Sequence, residues 1–477
     1  MKVRSPRDLG HRFDLVIVGA GAAGMAAAVG AAAHGARVAI VDRYPYPGGT
    51  AATAMAGTLI AGSPLQAQLG IADSPDAAFE DWIAWGGPRV DREWVRRYVN
   101  SASGEIFEWL GELGIQWLSV NKPEGNRVPR WHVPKGGGKA IMTVLERTAR
   151  RSHHITWLLG NEVSGLITSA GAVTGVEIAG SDHVLGDSVL LATGGFANNP
   201  EMVAQVAAPD SRAPRTLMGG GQGATGTGHR MLGELGAAFG NLDAVWSYPY
   251  GTPDYRDQTG RRGLAIRNLD GDIWVNRYGR RFHDETKRGG ATGTPALLRQ
   301  PDATSWSIFD SRIASQLTIA DPFYRDGTMI RRDRIRDFLD RSPFAHQANT
   351  VTDLASSLGM DADVLRETVD EYNGWIVRGV VADPAHGRSI SQSVPLTEPP
   401  FHALQFFPLA RKNLGGVLTD WYCRVLRTDG RPIENLFAAG EVAGMAGGRL
   451  NGDAALEGTM AGPSMWSGRL AAEAALS

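Results

Sequence analysis

A chain of 477 residues can bury more than one core, so two or three domains are expected, and a formal net charge of −2 offers no basic footprint for nucleic acid or an anionic membrane. The single cysteine, Cys423, excludes a disulfide framework, a cysteine-held iron–sulfur cluster and a haem attachment motif, so any electrons must leave through a diffusible external acceptor. No apolar run reaches the roughly 20 residues of a bilayer span and the run 15–24 lacks signal-peptide flanks, so a soluble, cytoplasmic protein with a small-molecule substrate and no membrane partner is expected.

In chain order, Asp14-Leu15-Val16-Ile17-Val18 is a short apolar run that predicts a buried strand, followed by Gly19-Ala20-Gly21-Ala22-Ala23-Gly24. Each glycine has a mechanical job: Gly19 allows a tight turn, Gly21 lets backbone approach a pyrophosphate, and Gly24 lets the next helix pack close to the sheet. That helix is Ala-rich, from Met25 to His34, and a second strand, Val38-Ala39-Ile40-Val41, ends at Asp42. An acid at that point accepts hydrogen bonds from ribose hydroxyls and repels a 2′-phosphate, so FAD or NAD fits and NADP does not.

Further along, 139–152 has helical spacing, Ile155–Leu159 and Val163–Ile167 read as strands, and Val173–Ile178 alternates like a hairpin arm. Ser188 to Gly195 is a buried strand ending in a glycine turn, Leu436 to Val442 repeats that pattern, and Gly462–Leu476 closes the chain as a helix. Two glycine-rich stretches, 219–228 and Lys135–Lys139, lack the strand context or the spacing of a nucleotide loop and read as helix entries. Roughly between 246 and 398 the texture turns rich in Arg and Asp, with no long apolar strand. The fold class expected is α/β, a Rossmann-like domain (1–245 and 399–477) interrupted by an inserted α+β domain (246–398) that packs on it to make a cleft. No histidine or carboxylate spacing predicts a metal site, and no Gly-x-Ser-x-Gly elbow predicts a hydrolase.

The opening clamp, Pro47-Gly48-Gly49-Thr50, Ala192-Thr193-Gly194-Gly195, Thr225–Gly228, Gly279–Phe282, Leu414–Val417 and Ala439-Gly440-Glu441 follow in an order that resembles the fumarate reductase and 3-ketosteroid dehydrogenase flavoproteins. The likeness is strongest over 13–58 and 400–470, and the ending Ala454–Gly458 with Gly468–Leu470 is most similar to the ketosteroid-dehydrogenase-like branch. The resemblance implies an FAD domain split by a cap and oxidation or reduction of a carbon–carbon bond beside an activating carbonyl. The residues agree on FAD, because two late glycine turns returning to one sheet suit a longer, two-ended cofactor. It also implies which residues meet that cofactor: Ala22, Ala23, Arg43, Gly48, Gly49, Thr50, Ala56, Gly57, Ala192, Thr193, Gly194 and Gly440 beside the opening glycines, with Val163 clamping adenine through its backbone. Glu441 would hold ribityl hydroxyls, and a helix starting near Ala454–Leu456, with Ala455 and Leu456, would aim its positive end at the flavin N1/C2 carbonyl. The family's covalent branch attaches flavin through a His that Thr50–Gly57 lacks, so the FAD is expected to be noncovalent.

For catalysis the resemblance matches Arg449 to an arginine that binds a substrate carboxylate, and a guanidinium suits a carboxylate or an enolate oxygen. Arg288 falls one residue short of a proton-carrying position. Tyr248 and Lys412 stand where fumarate reductases carry histidines, which disfavours fumarate. His402 stands where ketosteroid dehydrogenases place a ketone-holding Tyr; its ordinary pKa near 6.5 suits carbonyl polarisation or proton shuttling. The expected reaction is α,β-dehydrogenation of a cyclic ketone, an oxo-cycloalkane carboxylate among the candidates, by α-proton removal and β-hydride transfer to flavin N5. Its rivals are the reverse, an enoate or enone reductase, and a flavin-binding module without turnover.

Overall fold

The computed structural model describes residues 12–180, 182–207, 212–326 and 329–477. The fold is mixed α/β with parallel and antiparallel sheets, and the chain divides into two compact units. One takes in the chain as far as Val206, then Gly220–Trp246 and Lys412–Ser477; the other takes in Ala207–Gly219 and Ser247–Arg411. Among the described residues no helix is long and apolar enough to cross a membrane.

The first unit is built on a sheet whose strands run, side by side, Arg424–Leu426, Pro432–Ala438, Asp182–Leu191, Phe13–Val18, Val38–Asp42 and Ile155–Leu159. All neighbours are parallel except the first pair, with Leu15 opposite Val38 on one side and Ser188 on the other. Strands buried on both faces read as continuous apolar runs rather than alternating ones, which is why FDLVIV was legible. One face presents Leu15, Ile17, Val38 and Ile40 to the helices, and the other presents Val16, Val18, Ala39 and Val41 to a layer holding Val163, Val173 and Val176. Ala22–Ala33 and the C-terminal helix Ala461–Ala475 pack so closely that a β-carbon at Gly468 would overlap the carbonyl of Ala23. Alanine and glycine are what that backbone approach requires.

Chain order across this sheet reverses between Phe13–Val18 and Asp182–Leu191: the chain goes outward one way first, then returns and goes the other way. Such a switch point leaves a crevice beyond the carboxyl ends of the strands, the usual ligand position in open α/β sheets. The turns Gly19–Gly24 and Ala192–Gly195 both emerge there.

The second unit carries a mixed sheet in the order Ile273–Val275, Ser305–Phe309, Phe401–Asn413, Val245–Pro253, Gly263–Arg267, Thr318–Ile319. The expectation that this region lacks a long apolar strand is corrected: Val245–Pro253 spans nine residues and is nearly all buried. Pro249, Gly251 and Pro253 disguise it in sequence, yet Gly251 is where Leu409 of the neighbouring strand packs against the backbone. Behind that sheet the fully buried Glu285 accepts from Arg281 at 2.7 and 2.8 Å, from Arg388 at 2.9 Å and from the Trp274 amide at 3.1 Å. Arg281 also reaches Asp383 at 3.0 Å. The two arginines hold the Glu285 carboxyl below its ordinary range against the opposing effect of burial.

Candidate active site

The turn after the first strand is shaped by backbone alone. Gly19 has φ of +110°, in the region that favours glycine, and a β-carbon there would overlap the Ala192 carbonyl oxygen of the facing turn. A β-carbon at Gly24 would overlap the carbonyl oxygen of Gly19, so helix and turn touch. At Gly21 and Gly194, by contrast, a β-carbon would meet nothing within 4 Å. The Gly48 amide donates to the Ala20 carbonyl at 2.9 Å, and Gly49 lies against the Gly21 α-carbon, bringing the second glycine pair beside the first. Ala22 and Ala23 open the helix, and Ala23 packs under Gly440.

Asp42 closes one end. Its two carboxylate oxygens accept from the Ala20 amide at 2.7 Å and the Tyr44 amide at 2.8 Å, each oxygen keeping a further lone pair. Arg43 donates to Thr227 Oγ1 at 2.9 Å and pairs with Glu162 at 3.5 Å, and buried Val163 begins the strand just beyond. Thr193 Oγ1 is buried without a hydrogen-bond partner among the described residues. Thr50 lies against Gly221, Ala56 adopts φ of +49°, and Gly57 is covered by the Trp131 indole.

Glu441 is held by a residue that sequence reasoning missed. Asn413 donates its backbone amide to Glu441 Oε1 at 3.2 Å and its side-chain amide to the Glu441 carbonyl at 2.9 Å, while its Oδ1 accepts from the Phe196 amide at 3.2 Å. One asparagine thus ties the Ala192–Gly195 turn to the Ala439–Glu441 turn. A lone asparagine has no spacing signature that could have revealed this.

No helix starts near Ala454–Leu456 as expected; the closing helix begins at Ala461, one residue before its expected start at Gly462. Gly458 takes a left-handed φ of +96° and Thr459 Oγ1 donates back to the Leu456 carbonyl at 2.8 Å, so the segment forms turns before the helix can begin. Ala455 and Leu456 are buried in those turns, with the Ala455 carbonyl accepting from Trp85 at 3.1 Å.

Arg449 belongs to the same unit. Residues 442–448 before it are buried, whereas Arg449 is exposed and its guanidinium has no hydrogen-bond or ion-pair partner among the described residues. Its backbone is fixed, with the carbonyl accepting from Asp91 at 2.9 Å, and its stem passes over Gly240. Two residues on, Asn451 is fully buried with neither amide atom partnered, a second residue that sequence reasoning missed.

The other three candidates lie in the second unit, each among different partners. Arg288 is ion-paired to the fully buried Asp272, whose other oxygen accepts from Trp274 Nε1 at 3.0 Å and Ser307 at 2.5 Å. Tyr248 is buried and stacks on Tyr250 with ring centres 5.1 Å apart, and Arg267 lies over both rings. His402 is buried on the strand Phe401–Asn413, stacked on Phe309 at 5.3 Å; burial pushes its pKa down, with Asp310 and Asp340 partly opposing. It is therefore neutral near pH 7, able to donate one hydrogen bond and accept another.

Backbone turns meeting at the switch point, with open space at Gly21 and Gly194 and a buried, unpartnered hydroxyl on Thr193, suit a dinucleotide. The model of one family, described as FAD binding domain, matches residues 14–458. The chain belongs to that family.

Relatives divide between two chemistries. A KsdD-like steroid dehydrogenase of Mycobacterium tuberculosis is 30% identical, covering 98% of this chain and 96% of that protein. The NADH:fumarate oxidoreductase of Klebsiella pneumoniae is also 30% identical over 94% of this chain, which spans 47% of that longer protein. Among solved structures, the 3-ketosteroid-Δ4-(5α)-dehydrogenase of Rhodococcus jostii in complex with 4-androstene-3,17-dione matches with a TM-score of 0.72 at 27% identity, covering all of both chains. The protein is a flavoprotein: an FAD-dependent oxidoreductase acting on CH–CH groups.

Proposed function

We propose that this flavoprotein oxidises a saturated cyclic ketone to its α,β-unsaturated ketone and that its preferred substrates carry an acidic group, as in a small oxo-cycloalkane carboxylate. The observation that carries this reading is Arg449, an exposed guanidinium without a partner among the described residues, which follows the buried run 442–448 of the first unit. An unneutralised guanidinium attracts and stabilises negative charge, whether on a carboxylate or on an enolate oxygen.

In this reading FAD is held without a covalent bond by the turns Gly19–Gly24, Gly48–Thr50, Ala56–Gly57, Ala192–Gly194 and Gly440–Glu441, with Asp42 on the ribose, Arg43 and Val163 at the adenine end, and Ala455 and Leu456 beside the ring. When bound, FAD supplies the acceptor for the electron pair that leaves with the substrate's β-hydrogen. His402, neutral and buried, or Tyr248 polarises the ketone so that the α-proton acidifies, and a basic group takes that proton. Arg288 is committed to Asp272, which argues for an anchoring role rather than proton carriage. An external acceptor then removes the electrons.

The fumarate oxidoreductase among the relatives supports the reverse direction as a second reading, reduction of an enoate bound through the same arginine. Arg449→Ala tests the shared premise: FAD stays bound, while its reduction by a substrate ketone, followed by stopped flow, slows on the order of 10²-fold. Equal rates in parent and variant would remove Arg449 from the site.

A further inference from the structure

The first unit carries an open surface cleft of about 630 Å³ that shares no residue with the cofactor turns. One wall is the helix Arg92–Ala102, which places Arg92 and Arg96 one turn apart above the same ring, their guanidinium carbons 5.1 and 3.8 Å from the centre of Phe79. Like charges at this spacing repel. Arg96 is answered by Asp76 at 2.5 Å, but Arg92 has no carboxylate or hydrogen-bond partner among the described residues. Arg97, also in the cleft, spends one N–H on the Trp421 carbonyl at 2.7 Å and has no carboxylate partner among the described residues. The one acid in the lining is Glu93, exposed in the first helical turn, so the lining keeps an excess of positive charge.

The rest of the lining is aromatic. Trp421 stacks on Trp94 at 5.0 Å with a 28° tilt, so one face is used, yet 40% of the residue stays exposed; Tyr422 beside it is 61% exposed. Large rings left this open next to uncompensated guanidinium groups offer stacking faces and charge at once. The volume of the cleft falls within the range of small-molecule sites.

We propose that this cleft is a binding site for a planar aromatic anion, its ring laid on Trp421 and Tyr422 and its acidic group met by Arg92 and Arg97. The test titrates naphthalene-2-sulfonate into the FAD-loaded full chain by calorimetry. One site is expected, with Arg92→Gln, Trp421→Ala and Tyr422→Ala each weakening binding tenfold or more at unchanged FAD content, and Arg449→Ala leaving it unchanged. Cyclohexanesulfonate, with the same charge and no ring face, should bind at least tenfold more weakly. Equal affinity in Arg92→Gln and the parent, equal affinity for the two sulfonates, or loss of binding in Arg449→Ala would overturn the proposal. So would a dimer that Tyr422→Ala dissociates while naphthalene-2-sulfonate does not bind, which would give the cleft to a second copy of the chain.

Discussion

In the proposed function Asp42 has two duties in one carboxylate. It already ties the Ala20 and Tyr44 amides, and its remaining lone pairs are free for a ribose. Asp42→Ala should therefore loosen the turn and remove the ribose contacts together; at about 0.5–1.5 kcal/mol for each hydrogen bond, FAD affinity falls roughly tenfold or more. Equilibrium dialysis giving unchanged affinity would show Asp42 to be a structural residue alone. Two other side chains govern the response to acid. Burial lowers the pKa of His132 and of His229 to about 4, the first bonded to Ser63 and the Arg130 carbonyl, the second enclosed by Phe196 and Phe239. Unfolded, each titrates near 6.5, so between about pH 6.5 and 4 the unfolded chain binds more protons than the folded one. Stability is fully present above that window and is lost as pH falls through it, by about 3 kcal/mol per ring. Urea unfolding from pH 7.5 to 4.5 should show the fall, and His229→Phe should make it shallower; identical profiles would contradict the account. Strand-end acids and turn glycines could be anticipated from the chain because their places are set by neighbours in sequence. Asn413 and Asn451 could not, since what makes them informative is which distant backbone they meet or fail to meet.

Among elements, the parallel strands were the most legible. Val38–Asp42 and Ile155–Leu159 form at the expected bounds because burial on both faces demands an uninterrupted apolar run. The C-terminal helix, expected over Gly462–Leu476, forms over Ala461–Ala475, whereas the helix start expected near Ala454–Leu456 does not form, because Gly458 turns left-handed there and conformation at one glycine is not written in composition. Val245–Pro253 was missed because Pro249 and Pro253 read as strand breakers, and only its place in the sheet between Phe401–Asn413 and Gly263–Arg267 shows it to be a strand. Gly24→Ala should force the first helix off its turn, costing about 1–3 kcal/mol by overpacking and abolishing FAD retention; a variant that stays yellow with an unchanged urea midpoint would sink this. In the second unit, Glu285→Ala leaves Arg281 and Arg388 buried without their shared carboxylate, and chemical denaturation should register a loss of about 3–5 kcal/mol. A change below about 1 kcal/mol would mean that water already serves those arginines.

At the scale of the whole molecule, the reversal of strand order puts two glycine turns from distant parts of the chain beside each other, and a backbone-lined crevice results. No His lies between Thr50 and Gly57, so acid or heat should release intact FAD from the denatured protein; flavin that stays with the polypeptide would contradict a noncovalent site. The family fixes the cofactor and the class of bond, while the relatives leave open which way the reaction runs. The direct test mixes the oxidised protein, without oxygen, with a panel of saturated cyclic ketones and oxo-cycloalkane carboxylates, and the chemically reduced protein with fumarate, following the flavin absorbance. The account predicts bleaching by at least one ketone, with formation of the α,β-unsaturated product, and no reoxidation by fumarate. Rapid reoxidation by fumarate, with no ketone able to bleach the flavin, would contradict it.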